Sequence, residues 1–169
     1  MLYSLGDFQL ALSAAAFLAE CDPVGKYNKV ELRRFRCYET TIIISYTRPF
    51  SQSTNGFPQL SLKMVGAELT EEQDALHERL INLRNKVIAH SDADMMRMTS
   101  QANPIEIDDN FSYVFLHTVF DEGLMFVGEE FLKLNDLLRV VHGSLYTKLL
   151  AEAQLQPTDF AIRKDYLRD

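Results

Sequence analysis

The segment Leu83-Arg84-Asn85-Lys86-Val87-Ile88-Ala89-His90-Ser91-Asp92 gathers the side chains of this 169-residue chain best suited to chemistry on a charged substrate. Histidine titrates near neutral pH, so it can accept and return a proton. Arginine stays charged and offers a planar fork of donors that matches a phosphate or a carboxylate. Asn85, next to Arg84 in the chain, could orient either side chain or contact a substrate. Six residues along a helix turn through about 600°, which sets Arg84 and His90 roughly 120° apart. One straight helix does not converge them, so either it unwinds near Ala89 or a second subunit completes the site. The plainer reading is structural. His90 falls in line with Leu83 and Val87, and a histidine at a helix end is stabilised by the C-terminal dipole without any catalytic duty.

Glu39 is a carboxylate on an otherwise apolar helical face that carries Leu32, Phe35, Ile42 and Tyr46. A buried carboxylate needs a partner. Arg84 is the expected one, which makes Glu39 either an orienter of Arg84 or half of a structural ion pair, with Tyr46 in the same surroundings. Lys26, Lys29, Arg33 and Arg36 recur at helical spacing. Between Val24 and Arg48 there are six basic and two acidic residues, a local charge of +4 in a chain of net charge -7. Arg33, Arg36 and Arg48 are therefore candidate contacts for a polyanion, set against a solvated helix face balancing acid elsewhere. His90, Asp92 and Asp94 do not follow a recognised zinc spacing. With no phosphate-binding loop or dinucleotide fingerprint either, no metal and no cofactor are expected. His77, His117 and His142 have no partner visible in the sequence and are read as structural or surface residues.

The elements that must position these residues are mostly helices. Thr70-Glu71-Glu72-Gln73 is a capping box. It opens a helix from about Glu71 to His90, with Leu76, Leu80, Leu83 and Val87 as its apolar stripe. An earlier helix is expected from about Asp7 to Glu20, where Phe8, Leu12, Ala15 and Ala19 share a face. A second runs from about Lys26 to Thr47 and is stopped by Arg48-Pro49. Ser51 to Pro58 reads as a loop, and Gln59 to Ala67 carries no strong helical signal. Met95–Gln101 and Phe111–Phe120 read as strands of a β-hairpin joined by the polar stretch Ile105–Asn110. The last helix spans about Glu129 to Gln154, with Phe131, Leu134, Leu138, Val141, Leu145 and Leu149 on one face. Residues 155–169 are mixed, a docking segment or an arm. The expected architecture is one domain over residues 1–169. It is mainly α, a four-helix bundle with a small β-hairpin inserted before the last helix.

Composition agrees with that plan. Apolar residues make up 47% of the chain, enough for a core, and charged residues 24%. A pI near 5.1 argues against wholesale coating of nucleic acid while leaving room for a local basic groove. Cys21 and Cys37 form no CxxC pair, and both lie in apolar-periodic segments. They are expected to be buried thiols of a reducing compartment. The N-terminal stretch has no basic start and is interrupted by Asp7, so no signal peptide is expected. Thr41–Ile44 is too short to span a bilayer. A cytoplasmic protein without a membrane segment follows as the expectation.

The phrase RNKVIAHSD, closing a long capped helix, resembles the Arg-x4–6-His motif of the HEPN superfamily, where a polar residue such as Asn85 often follows the arginine. It is similar to bacterial relatives of abortive-infection proteins. The resemblance implies a HEPN-like bundle over about Asp7 to Gln154 and a homodimer that sets two motifs around one cleft. It also implies a metal-independent endoribonuclease of a defence or toxin–antitoxin system, with RNA and an antitoxin protein as partners. On that analogy Arg84 and His90 are the catalytic pair. The histidine would carry the proton of a 2′-hydroxyl attacking the adjacent phosphate, the arginine would hold the phosphate oxygens, and Asn85 would stand beside them. His90-Ser91-Asp92 departs from the His-x-Tyr ending of some HEPN toxins, whose tyrosine a nucleotidyltransferase modifies. That route of neutralisation is not implied. Some members keep the fold without activity, so the alternative is a non-catalytic HEPN-like binding or regulatory module.

Overall fold

In the computed structural model, residues 1–22, 24–52, 58–85, 98–108, 111–120 and 123–156 are described. Over these residues the chain is mainly helical, with a two-stranded antiparallel hairpin before the last helix.

Helix α1 spans Leu2–Leu18 and buries Phe8, Ala11, Ala14, Ala15 and Leu18. It starts at Leu2 rather than Asp7. Gly6 and Asp7 look like a start signal, but one helical glycine costs only about 1 kcal/mol, and Leu5 packs against the core. Helix α2 spans Lys29–Thr47. It begins later than expected because Asn28 caps it: the Asn28 side chain accepts from the Val30 and Glu31 amides at 2.9 and 3.1 Å, and Glu31 accepts from the Asn28 amide at 2.9 Å. Pro49 ends it as expected, and Arg48–Phe50 continue as one 3-10 turn.

The two helices run antiparallel. Phe17 meets Tyr38 at 5.6 Å between ring centroids, Phe8 meets Tyr46 at 6.0 Å, and Asp7 meets Arg48 at 2.7 Å. Their connection is tied by Tyr27, whose hydroxyl accepts from the Asp22 amide at 2.6 Å and donates to the Asp22 carbonyl at 3.1 Å. A Cβ on Gly25 would lie 2.7 Å from that hydroxyl, so this approach requires glycine.

Residues expected to be irregular hold a short helix, α3, Leu62–Val65. Ser61 caps it, accepting from the Met64 amide at 3.2 Å. Gly66 closes it in the left-handed region at φ 78°. Four residues are too few to leave a periodic signal. Helix α4, Glu71–Leu83, opens on the expected capping box: Thr70 Oγ1 accepts from the Gln73 amide at 3.2 Å, and Gln73 accepts from the Thr70 amide at 3.1 Å. Glu71, Glu72 and Asp74 complement the positive end of its dipole. Helix α5 spans Glu129–Leu155 and buries Leu134, Leu137, Leu138, Val141, Leu145 and Leu149. Residues 157–169, with most of the expected arm, lie outside the described residues.

Helix α1 packs on α2 and α5, α4 packs on α2 and α5, and α3 packs on α5. The core lies between them, closed at one end by the rings of Phe8, Tyr46, Phe50 and His77. Among the described residues no helix is long and apolar enough to cross a membrane. Cys21 is half-buried, but Cys37 is exposed, contrary to the expectation of two buried thiols. Cys37 lies on α2 between Arg36 and Tyr38, off the buried face of Phe35, Glu39 and Ile42.

The hairpin pairs β1, Met98–Asp108, with β2, Phe111–Phe120. In its register Ile105 faces Tyr113 and Asn103 faces Phe115. The stretch from Ile105, expected as a polar connection, is strand up to Asp108, with a bulge between Glu106 and Asp108. A ten-residue β2 needs a partner of matching length, and the bulge absorbs the extra residue. Met95, Met96 and Arg97 of the expected first strand lie outside the described residues. Among the described residues the hairpin makes no extensive packing with any helix.

Candidate functional site

Arg84 follows directly on Leu83, which is buried at the end of α4 together with Leu80 and His77. Its side chain therefore leaves the helix at the margin of the core, half-buried, and its guanidinium donates to Asn85 Oδ1 at 2.9 Å. Asn85 is exposed. At residues 84–85 the winding widens from α to π. π turns inside helices frequently accompany functional sites. A departure from the straight helix thus sets in at Arg84, while Ala89, where unwinding is one of the two expected alternatives, lies outside the described residues. His90, Ser91, Asp92 and Asp94 lie outside the described residues. The pair of Arg84 and Asn85 can seat an anionic oxygen: the arginine supplies charge and donors, and the neighbouring amide limits its rotation.

Glu39 is not the partner of Arg84. It is fully buried on α2, and among the described residues its polar partners lie elsewhere. Arg36, one turn earlier, donates to Oε2. Oε1 accepts from the backbone amides of Met125 and Phe126 at 2.6 and 2.8 Å. Arg36 also reaches the Gly123 carbonyl at 3.4 Å. Glu39 therefore pins the segment between β2 and α5 onto α2. Burial holds its carboxyl above the ordinary carboxylate range, opposed by the Phe126 amide, the Arg36 charge and the Met125 amide. The spacing of Arg36 and Glu39 is a helical ion-pair spacing legible in the sequence. The two amides, 86 and 87 residues away, are not.

Tyr46 is a core residue, fully buried, with its hydroxyl 2.8 Å from His77 Nδ1. Burial, and then the charge of Asp74, raises its pKa far above the ordinary range. Burial lowers the pKa of His77 against the charges of Glu78 and Asp74. The two form an interior hydrogen bond, with the His77 ring edge-on to Phe50 and the Tyr46 ring tilted to it. Of the expected basic track, Arg33 is exposed on α2, Arg36 is half-buried and serves Glu39, and Arg48 is exposed and pairs with Asp7. Arg48 and Asp7 also line a cleft of about 460 Å³ with Tyr3, Leu60 and Met64.

Sequence reasoning missed Arg79. It stacks over the Phe126 ring at 4.7 Å and reaches Glu130 at 3.3 Å, fastening α4 to the same segment that Glu39 holds. Nothing in local spacing announces a contact with a ring 47 residues on. His142 has a buried Nε2 with no partner among the described residues, and its ring stacks on Tyr146 at 6.3 Å. His117 is exposed on β2. Among the described residues no group of three His, Cys, Asp or Glu side chains is placed to hold a metal ion.

No family model, no curated protein and no solved structure matches the chain.

Proposed function

We propose that the chain is a metal-independent endoribonuclease of the HEPN kind, acting as a homodimer in a defence or toxin–antitoxin system in the cytoplasm. Arg84 holds the scissile phosphate, His90 moves the proton of the attacking 2′-hydroxyl, and Asn85 steadies Arg84. The observation that carries this reading is the Arg84–Asn85 hydrogen bond at the π-wound end of a capped helix, at the head of RNKVIAHSD. The packing of α1 and α4 each on both α2 and α5 supports a HEPN-like four-helix bundle. Two such motifs facing across a two-fold axis would form the cleft. The exposed Arg33 could lengthen it for RNA, and an antitoxin protein would cover it.

A second reading is favoured by the ion pairs of Arg36 and Arg48. With those guanidinium groups committed to Glu39 and Asp7, fewer basic side chains remain for RNA. A non-catalytic HEPN-like binding or regulatory module fits that economy.

The test incubates the wild type, Arg84→Ala and His90→Ala with total RNA in EDTA. Arg84 is half-exposed and bonded only to its neighbour among the described residues. Its truncation is expected to cost within about 0.5 kcal/mol of stability. Cleavage by the wild type, lost in both variants, supports the enzyme. Cleavage restored only by added metal returns attention to His90, Asp92 and Asp94. A folded wild type that cleaves none of several RNA classes leaves the binding module.

A further inference from the structure

Eight large apolar side chains of the hairpin stand exposed: Ile105, Ile107, Phe111, Tyr113, Val114, Phe115, Leu116 and Val119. Side chains alternate across a strand. Phe111, Tyr113 and Phe115 therefore occupy one face and Val114 and Leu116 the other. Neither face is covered by a helix among the described residues. A two-stranded ribbon alone is marginal in water, and stability comes with a third strand and a covered face.

The two edges of this ribbon differ. Strand β1 carries Pro104, which has no amide to donate, and the charged Glu106. Both are devices that blunt an edge. Strand β2, FSYVFLHTVF, has no proline and no Asp, Glu, Lys or Arg. Among the described residues it is the edge left open to pairing.

We propose that β2 pairs antiparallel with β2 of a second copy of this chain about a two-fold axis at Phe115. The result is a four-stranded sheet in the order β1, β2, partner β2, partner β1. In that register Phe115 meets its own copy, Tyr113 meets the copy of His117, Phe111 meets that of Val119, and Val114 meets that of Leu116. Aromatic residues fall opposite aromatic or β-branched ones, and aliphatic opposite aliphatic, on each face. Charge selects the same occupant. The chain has a net charge of -7, so copies repel over most of their surface. The uncharged β2 is a place where two copies meet without like charges opposed. This pairing stands apart from the ribonuclease reading, because it requires no RNA and no helix-borne residue.

The experiment uses the full chain. Sedimentation across the micromolar range should show association through β2, as a dimer or, where the motif-facing pair also forms, as a tetramer. Val114→Lys with Leu116→Lys should weaken it roughly a hundredfold or more by setting four ammonium groups at the junction. Helical circular dichroism should stay unchanged, since the hairpin does not support the helices. In a Cys21→Ser, Cys37→Ser background, Phe115→Cys should oxidise to a linked dimer, because facing residues of paired strands lie within disulfide reach. Tyr113→Cys should link far less. A strictly monomeric wild type overturns the proposal. A dimer indifferent to the two lysines does so too, as does linking of Tyr113→Cys as readily as Phe115→Cys. If the lysine variant fails to fold, the two cysteine variants decide alone.

Discussion

Glu39→Ala should be among the most damaging single changes in the described part of the molecule. The carboxylate is fully buried and serves the Met125 amide, the Phe126 amide and Arg36 at once. Each buried amide left without an acceptor costs about 1–3 kcal/mol. Arg36 is 28% exposed and can turn toward water, so its loss adds little. The two amides together put the total at about 2–6 kcal/mol. At about 2–4 °C per kcal/mol for a domain of this size, the melting temperature should fall by roughly 4–24 °C. Urea titration and thermal melts followed by far-UV circular dichroism at neutral pH measure it. Glu39→Gln keeps an oxygen for both amides and removes the buried charge, so it should cost less than about 1 kcal/mol. The pH dependence has a definite sign. Because burial raises the folded pKa, the folded protein holds a proton that the unfolded chain releases near 4.5. The associated stability is present at acid pH and lost as pH rises from there through the folded value. Across that window the wild type should lose stability relative to Glu39→Gln. An alanine variant within about 1 kcal/mol of wild type would refute the reasoning, as would a wild type that gains on the glutamine variant with rising pH.

Two further outcomes are expected. His77 has its folded pKa lowered from 6.5. The unfolded chain therefore takes up a proton first, and stability should fall as pH drops below about 6.5 toward the folded value. Urea melts through that window should show a shallower slope for His77→Gln. Thr70→Ala removes an acceptor from the first turn of α4 and should cost about 1 kcal/mol, with faster amide exchange at Gln73 as the local check.

Where a signal is local, the chain is legible. Thr70 and Gln73 announce the start of α4, Pro49 the stop of α2, and the aromatic run of β2 its strand. Asn28 and Glu31 carried an equally good start signal for α2, but Lys26 and Tyr27 continue the periodicity and conceal it. Helix α3 is a single capped turn, below the length at which periodicity exists. The candidate site divides the same way. A buried Glu39 must have partners, and the sequence says so, but its partners include backbone amides brought in by the return from the hairpin. No side-chain pattern encodes those. Arg84 and Asn85 follow directly on α4, where the expected helix runs on to about His90, outside the described residues. Tyr46, on the same face of α2 as Glu39, is turned to the interior because His77 of α4 offers its hydroxyl a partner there.

The joint at Tyr27 and Gly25 bears on the order in which the chain assembles. Contacts between α1 and α2 join residues as near in sequence as Phe17 and Tyr38. The packing of α1 on α5 joins segments on either side of everything else. Closing the longer loop costs about 1–1.5 kcal/mol more chain entropy, and a connection already folded on itself lowers the cost of the shorter one further. Short-range contacts form fastest. The antiparallel pair of α1 and α2 is thus expected to form first and the seam between α1 and α5 last, an order that pulse-labelled amide exchange during refolding would read directly.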